Sequence, residues 1–88
     1  MYANVMCKIM QVLDERSGTS KSSGKPWHSV TYLAEVGGMR PYSFTFSRMM
    51  QEGEAMLEVG KVVNIDCVVE ASMYHDKWYN NVRCVKIE

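Results

Sequence analysis

Long apolar runs are missing from this chain. None approaches bilayer-spanning length, and at the start Asn4, Lys8 and Gln11 interrupt the apolar stretch that a secretory signal needs. The chain therefore reads as soluble and cytoplasmic, with no membrane contact. Cysteine is scarce and odd in number: Cys7, Cys67 and Cys84 show no CxxC spacing, and each sits inside an apolar run. They read as buried free thiols. A zinc site completed by His28 or His75 is the rival, but structural zinc motifs pair their ligands a few residues apart. Phosphate-cradling glycine motifs and HExxH are absent too. Asp14, Glu15 and Arg16 form the only adjacent acid and base group, and no second carboxylate pair accompanies them. The expectation is a non-catalytic protein without a cofactor.

Net charge is also missing, since ten basic and ten acidic residues cancel. That balance argues against a nucleic-acid partner. Its distribution argues less strongly. Arg16, Lys21, Lys25, Arg40 and Arg48 are opposed only by Glu35, whereas Glu52 to Asp76 carries six acids against Lys61 alone. Lys77, Arg83 and Lys86 follow. Segregation of this kind can fold into a basic and an acidic face, and the field at a surface follows local charge.

What is present fits one domain spanning residues 1–88, with 47% hydrophobic residues to build a single core. Val5 to Leu13 reads as a first strand, with Val5, Cys7, Ile9 and Leu13 on one side of a two-residue period. Asp14 to Pro26 holds no large apolar residue and reads as a long exposed loop. Trp27 to Val36 is the second strand, and Gly37-Gly38 turns it into a third at Met39 to Phe46. In that third strand Tyr42, Phe44 and Phe46 share a face and go together, as core or as platform. We read them as core. Tyr32, on the face of Val30 and Ala34, carries the same ambiguity. Ser47 is placed to cap a short helix over Arg48 to Glu58, although Gly53 opposes it. Lys61 to Ala71 alternates cleanly as a fourth strand, with Val63, Ile65, Cys67, Val69 and Ala71 inward. Ser72 to Lys77 makes a connection, and Trp78 to Ile87 is the fifth strand.

Three strands, a short helix and a two-strand hairpin is the order of an OB-fold-like Greek-key barrel, all-β with five strands. An SH3-like barrel competes, and the helix between strands three and four favours OB. Such barrels bind oligonucleotides or oligosaccharides on the face of strands two and three and through the loops joining strands one to two and four to five.

Lys8 to Trp27 (KIMQVLDERSGTSKSSGKPW) and Lys77 to Glu88 (KWYNNVRCVKIE) resemble the small bacterial and phage family catalogued as domain of unknown function 3127. That family is similar in outline to single-stranded DNA-binding OB folds. The specific parts are the SGTSK loop feeding an aromatic strand and the WY pair of the last strand. The middle, MMQEGEAMLEVG, matches loosely. The resemblance implies an OB fold and, by analogy, binding of single-stranded DNA in replication, recombination or repair.

Binding unpaired strands requires cations along the phosphates and rings on which bases stack. Arg16, Lys21 and Lys25 sit in the first loop, and Trp27 stands where that loop becomes a strand, to stack or to plug the barrel mouth. Tyr74 reads as a loop residue and the foremost stacking candidate, beside His75 and Lys77. Trp78 and Tyr79 cannot both point inward. Arg40 and Arg83 complete the candidate site as phosphate contacts. His28 and His75 read as surface residues, and the eight methionines as gap-fillers. The expected partner is single-stranded DNA, with RNA open. The rival is a protein-interaction module, a homodimer or higher oligomer that recruits replication proteins through Glu52, Glu54 and Glu58.

Overall fold

Five strands account for most of the chain in the computed structural model, which describes residues 1–88. They are β1 (Tyr2–Thr19), β2 (Pro26–Val36), β3 (Tyr42–Met50), β4 (Val62–Tyr74) and β5 (Lys77–Ile87). They close into a barrel in the order β1-β2-β3-β5-β4, an arrangement consistent with an OB-like barrel. β1 is long enough to serve two neighbours. Tyr2 to Lys8 pairs with β4, and Lys8 to Thr19 pairs with β2. Two register shifts, between Ile9 and Gln11 and between Val12 and Asp14, bend it from one partner to the other. They also displace the expected inward set. Val12 packs against the core while Leu13 faces solvent.

Nine residues are buried: Cys7, Ile9, Val30, Tyr32, Ala34, Phe46, Ile65, Cys67 and Cys84. Tyr32 and Phe46 stack at a centroid distance of 5.3 Å, and Phe44 approaches Phe46 at 5.9 Å. The three aromatics of β3 therefore do not go together. Phe46 is core, Phe44 is half-buried, and Tyr42 is 58% exposed because its pair with Val36 is the last rung at the barrel's end. The three cysteines are free thiols in the interior.

No helix forms between β3 and β4. Arg48 to Met50 continue β3 opposite Val30 to His28, and residues 51–61 run irregularly with positive φ at Gly53 and Gly60. Side chains supply the fixation that helical hydrogen bonds would have given. Arg48 forms an ion pair with Glu54 and donates to the Ala55 carbonyl at 3.3 Å. The Leu57 N–H donates to the Tyr32 hydroxyl at 3.2 Å, and the Leu57 side chain packs against the core. Met50 and Leu57 thus pack against the core without a helix.

Two hairpins extend beyond the barrel as arms. The expected loop Asp14 to Pro26 is mostly strand, and only Ser20 to Lys25 turns. The β4–β5 arm turns at His75 and Asp76, both in the left-handed region at φ 51° and 63°. Tyr74 is therefore the last residue of β4 and Lys77 the first of β5, not loop residues, and Ala71 is exposed on the arm instead of lying inward. At the other hairpin the turn spans residues 37–41, so Met39, Arg40 and Pro41 lie outside β3.

The His75-Asp76 turn has the backbone that asparagine and glycine adopt most readily. Replacing the pair by Asn-Gly should stabilise the fold by about 1 kcal/mol, and raise the melting temperature by roughly 4–8 °C, as read by circular dichroism.

Burial pushes all three thiols above their ordinary value of 9.0. The folded chain holds these protons more tightly than the unfolded chain does. Their contribution to stability is complete below pH 9.0 and is lost as pH rises past it. Melting temperature should therefore fall on alkaline titration, and a Cys67→Ala variant should show a shallower decline.

Candidate functional site

Strand pairing decides which side chains share a surface, because residues directly opposite one another project to the same face. Across β2 and β3 the inner set is Val30 with Arg48, Tyr32 with Phe46 and Ala34 with Phe44. The outer set is Ser29 with Met49, Thr31 with Ser47, Leu33 with Thr45 and Glu35 with Ser43. Most of the outer floor is small and hydroxylated, with a charge only at the Glu35 end. Sequence reasoning missed this floor, although the alternating Ser and Thr of both strands mark it.

The β1–β2 arm continues that floor. Arg16 lies opposite Ser29 and Gly18 opposite Trp27, so both pairs belong to the outer face. The Trp27 indole lies across Gly18 so closely that a Cβ at position 18 would sit 2.9 Å from the ring. Glycine here is what lets the ring lie flat along the arm. On the other side of the arm, His28 Nε2 and Glu15 Oε1 are 2.6 Å apart, tying the strands together.

On the far side of the floor, Ser47 pairs with Arg83, which carries the outer face onto β5. Arg83 lies opposite Val68, Tyr79 opposite Ser72 and Lys77 opposite Tyr74, all on that face. Met73 with Trp78 occupies the other face of the arm. Trp78 and Tyr79 thus point to opposite sides, and both are exposed because the arm stands clear of the barrel. β5 runs parallel to β3, so this arm extends toward the end where β3 begins, the end that also holds Arg40 in its turn.

Of the ten candidate residues, Arg16, Trp27, Tyr74, Lys77, Tyr79 and Arg83 share the outer face by register. Lys21 and Lys25 sit at the tip of the β1–β2 arm, Arg40 lies at the opposite end, and Trp78 faces away. The rings are accessible: Trp27 is 37% exposed, Tyr79 49%, Tyr74 66% and Trp78 69%. Tyr74 makes an edge contact with His75 at 4.1 Å. Two cations are partnered, Arg16 with Asp14 at 2.7 Å and Arg83 with Glu70 at 2.9 Å. Lys21, Lys25, Arg40 and Lys77 form no ion pair. Arg48, counted among the basic residues of the first half, is instead used internally by Glu54.

A broad cleft of about 940 Å³ opens where the β1–β2 arm meets the β3–β4 connection, bordered by Lys25, Pro26, Trp27, Met50, Gln51 and Glu52. It brings Lys25 to the same cleft as Glu52 and Glu54, so the charges segregated along the chain are mixed here in space. No group of three or more His, Cys, Asp or Glu side chains is arranged to hold a metal ion. No family model, curated protein or solved structure matches the chain.

Proposed function

We propose that the protein is an OB-type barrel that binds single-stranded DNA across the outer face of β2, β3 and β5, without catalysis. One observation carries the reading. Exposed rings from both arms, Trp27 at one end and Tyr79 and Tyr74 at the other, share the outer face with a floor rich in Ser and Thr, on which Arg16 and Arg83 also stand. Bases stack on such rings at about 1–3 kcal/mol each. The unpaired Lys21, Lys25, Arg40 and Lys77 stand at the two ends, where a strand crossing the floor passes its phosphates. Surface ion pairs are worth about 0–1 kcal/mol, so Arg16 and Arg83 exchange their carboxylates for phosphates at little cost. The resemblance of Lys8 to Trp27 and Lys77 to Glu88 to domain of unknown function 3127 points the same way.

Fluorescently labelled oligo-dT, titrated at several salt concentrations, tests the reading. With four cations each meeting a phosphate, log K should fall against log salt with a slope near about −3, or roughly 50-fold between about 50 and 200 mM. If Arg16 and Arg83 also engage, the slope steepens to about −4. Absence of binding at low salt removes the proposal.

A second reading, an interaction module that pairs with its own copy, draws on the outer face of β1. Tyr2, Met6 and Met10 are exposed there, and each belongs to a strand already paired on both edges. Sedimentation at rising concentration tests it, and a monomer throughout removes it.

A further inference from the structure

The cleft beside Trp27 differs in chemistry from the floor it adjoins. Trp27 lies on the outer face yet also borders the cleft, so it stands between the two. Pro26 and Met50 are apolar parts of the cleft lining, its hydroxyls are those of Ser17 and Thr19, and its free charged and amide groups are Lys25, Gln51 and Glu52. None of these three side chains has an ion-pair or hydrogen-bond partner within the chain. Glu54, by contrast, is held by Arg48 and by the Gln51 backbone N–H at 3.0 Å. A free carboxylate repels phosphate, which excludes the cleft as a place for the backbone of a strand. It accepts hydrogen bonds from amino groups, and a nearby ammonium or amide donates to ring acceptors.

We infer that this cleft is a base-reading subsite for nucleobases that carry an exocyclic amino group beside a ring acceptor, cytosine foremost. The inference rests on the single-strand reading above. A strand stacked on Trp27 turns its next base into the cleft, between Pro26 and Met50. Glu52 accepts from the cytosine 4-amino group, and the Gln51 amide donates to the adjacent ring nitrogen. Uracil and thymine present a carbonyl at that position and a protonated ring nitrogen beside it, so both contacts are reversed in polarity. The volume is ample for a base, since ligand pockets run from about 300 to 1,000 Å³.

Oligo-dC and oligo-dU of equal length differ on this edge alone, and competition of each against labelled oligo-dT at fixed salt is the test. Oligo-dC is expected to displace the label about tenfold more effectively than oligo-dU, within the range of one good base-edge contact. Glu52 is exposed, and Glu52→Gln replaces the acceptor by a group that can also donate. That variant should bring the two competitors to within about twofold, because the amide can also donate to the uracil carbonyl. Equal competition by oligo-dC and oligo-dU in the unaltered protein, with steep salt dependence retained, overturns the subsite and leaves the single-strand reading standing. A preference that survives Glu52→Gln overturns the assigned residue and with it the subsite. Failure of every oligonucleotide to bind overturns both proposals.

Discussion

Phe46→Ala should lower the unfolding free energy by about 3–5 kcal/mol, the cost of removing a buried phenylalanine and leaving its cavity. The expected loss is at this end of the scale because the interior is small. Only nine residues are buried, and Phe46 touches the two other rings that fill the barrel, Tyr32 and Phe44. The hydroxyl of Tyr32 also receives the Leu57 N–H, so a shift of Tyr32 into the cavity would strain the closure of the barrel's end. Small domains have about 5–15 kcal/mol of stability in all, so the variant should retain little reserve. Urea denaturation followed by tryptophan fluorescence measures the change. Tyr42→Ala, on the same side of the same strand but exposed, should alter stability by less than about 0.5 kcal/mol. Equal losses in the two variants would mean that the interior is not centred on the Tyr32–Phe46 stack.

Trp27→Ala and Tyr79→Ala should each weaken binding of oligo-dT by about fivefold to more than a hundredfold, the equivalent of one lost base stack. The two rings lie on different arms and share no contact, so their effects should add in free energy. Trp78→Ala is the internal comparison. It removes the most exposed of the indoles from the same arm as Tyr79 but from the opposite face, and oligo-dT affinity should stay as it was. Circular dichroism of all three variants should match the parent, since none of these side chains belongs to the buried set. Unaltered affinity in both Trp27→Ala and Tyr79→Ala would remove the outer face as the platform.

Much of the barrel was legible because its strands announce themselves by alternation. Lys61 to Ala71 is the clearest case: Val63, Ile65 and Cys67 face the interior as expected, and only toward the arm does the inward set give out, with Ala71 exposed. The arms were not legible as strands. Asp14 to Thr19 and Ser72 to Tyr74 have no core to face, so nothing in their composition distinguishes a paired arm from a loop. The His75-Asp76 turn lacked the Asn-Gly signature that would have marked it. The helix expected after Ser47 failed for a tertiary reason. Arg48 and Met50 are needed as rungs opposite Val30 and His28, and Arg48 then fixes the following segment through Glu54. For the site, the residue types were readable but their sides were not. Parity within β2 and β5 separates Trp27 and Tyr79 from the core, whereas the bulges in β1 change parity in mid-strand.

The ring of strands is uneven in its joints. Four of its neighbours share long antiparallel ladders, but β3 meets β5 through two residue pairs alone, Ser47 with Arg83 and Arg48 with Cys84. A cylinder held this way has a zip, and thermal opening begins where the fewest amides must let go. Unzipped there, the protein becomes an open five-stranded sheet with β3 and β5 as raw borders, each able to recruit a stranger's backbone. The same joint carries the middle of the outer face, so a ligand lying across it would act as a clasp.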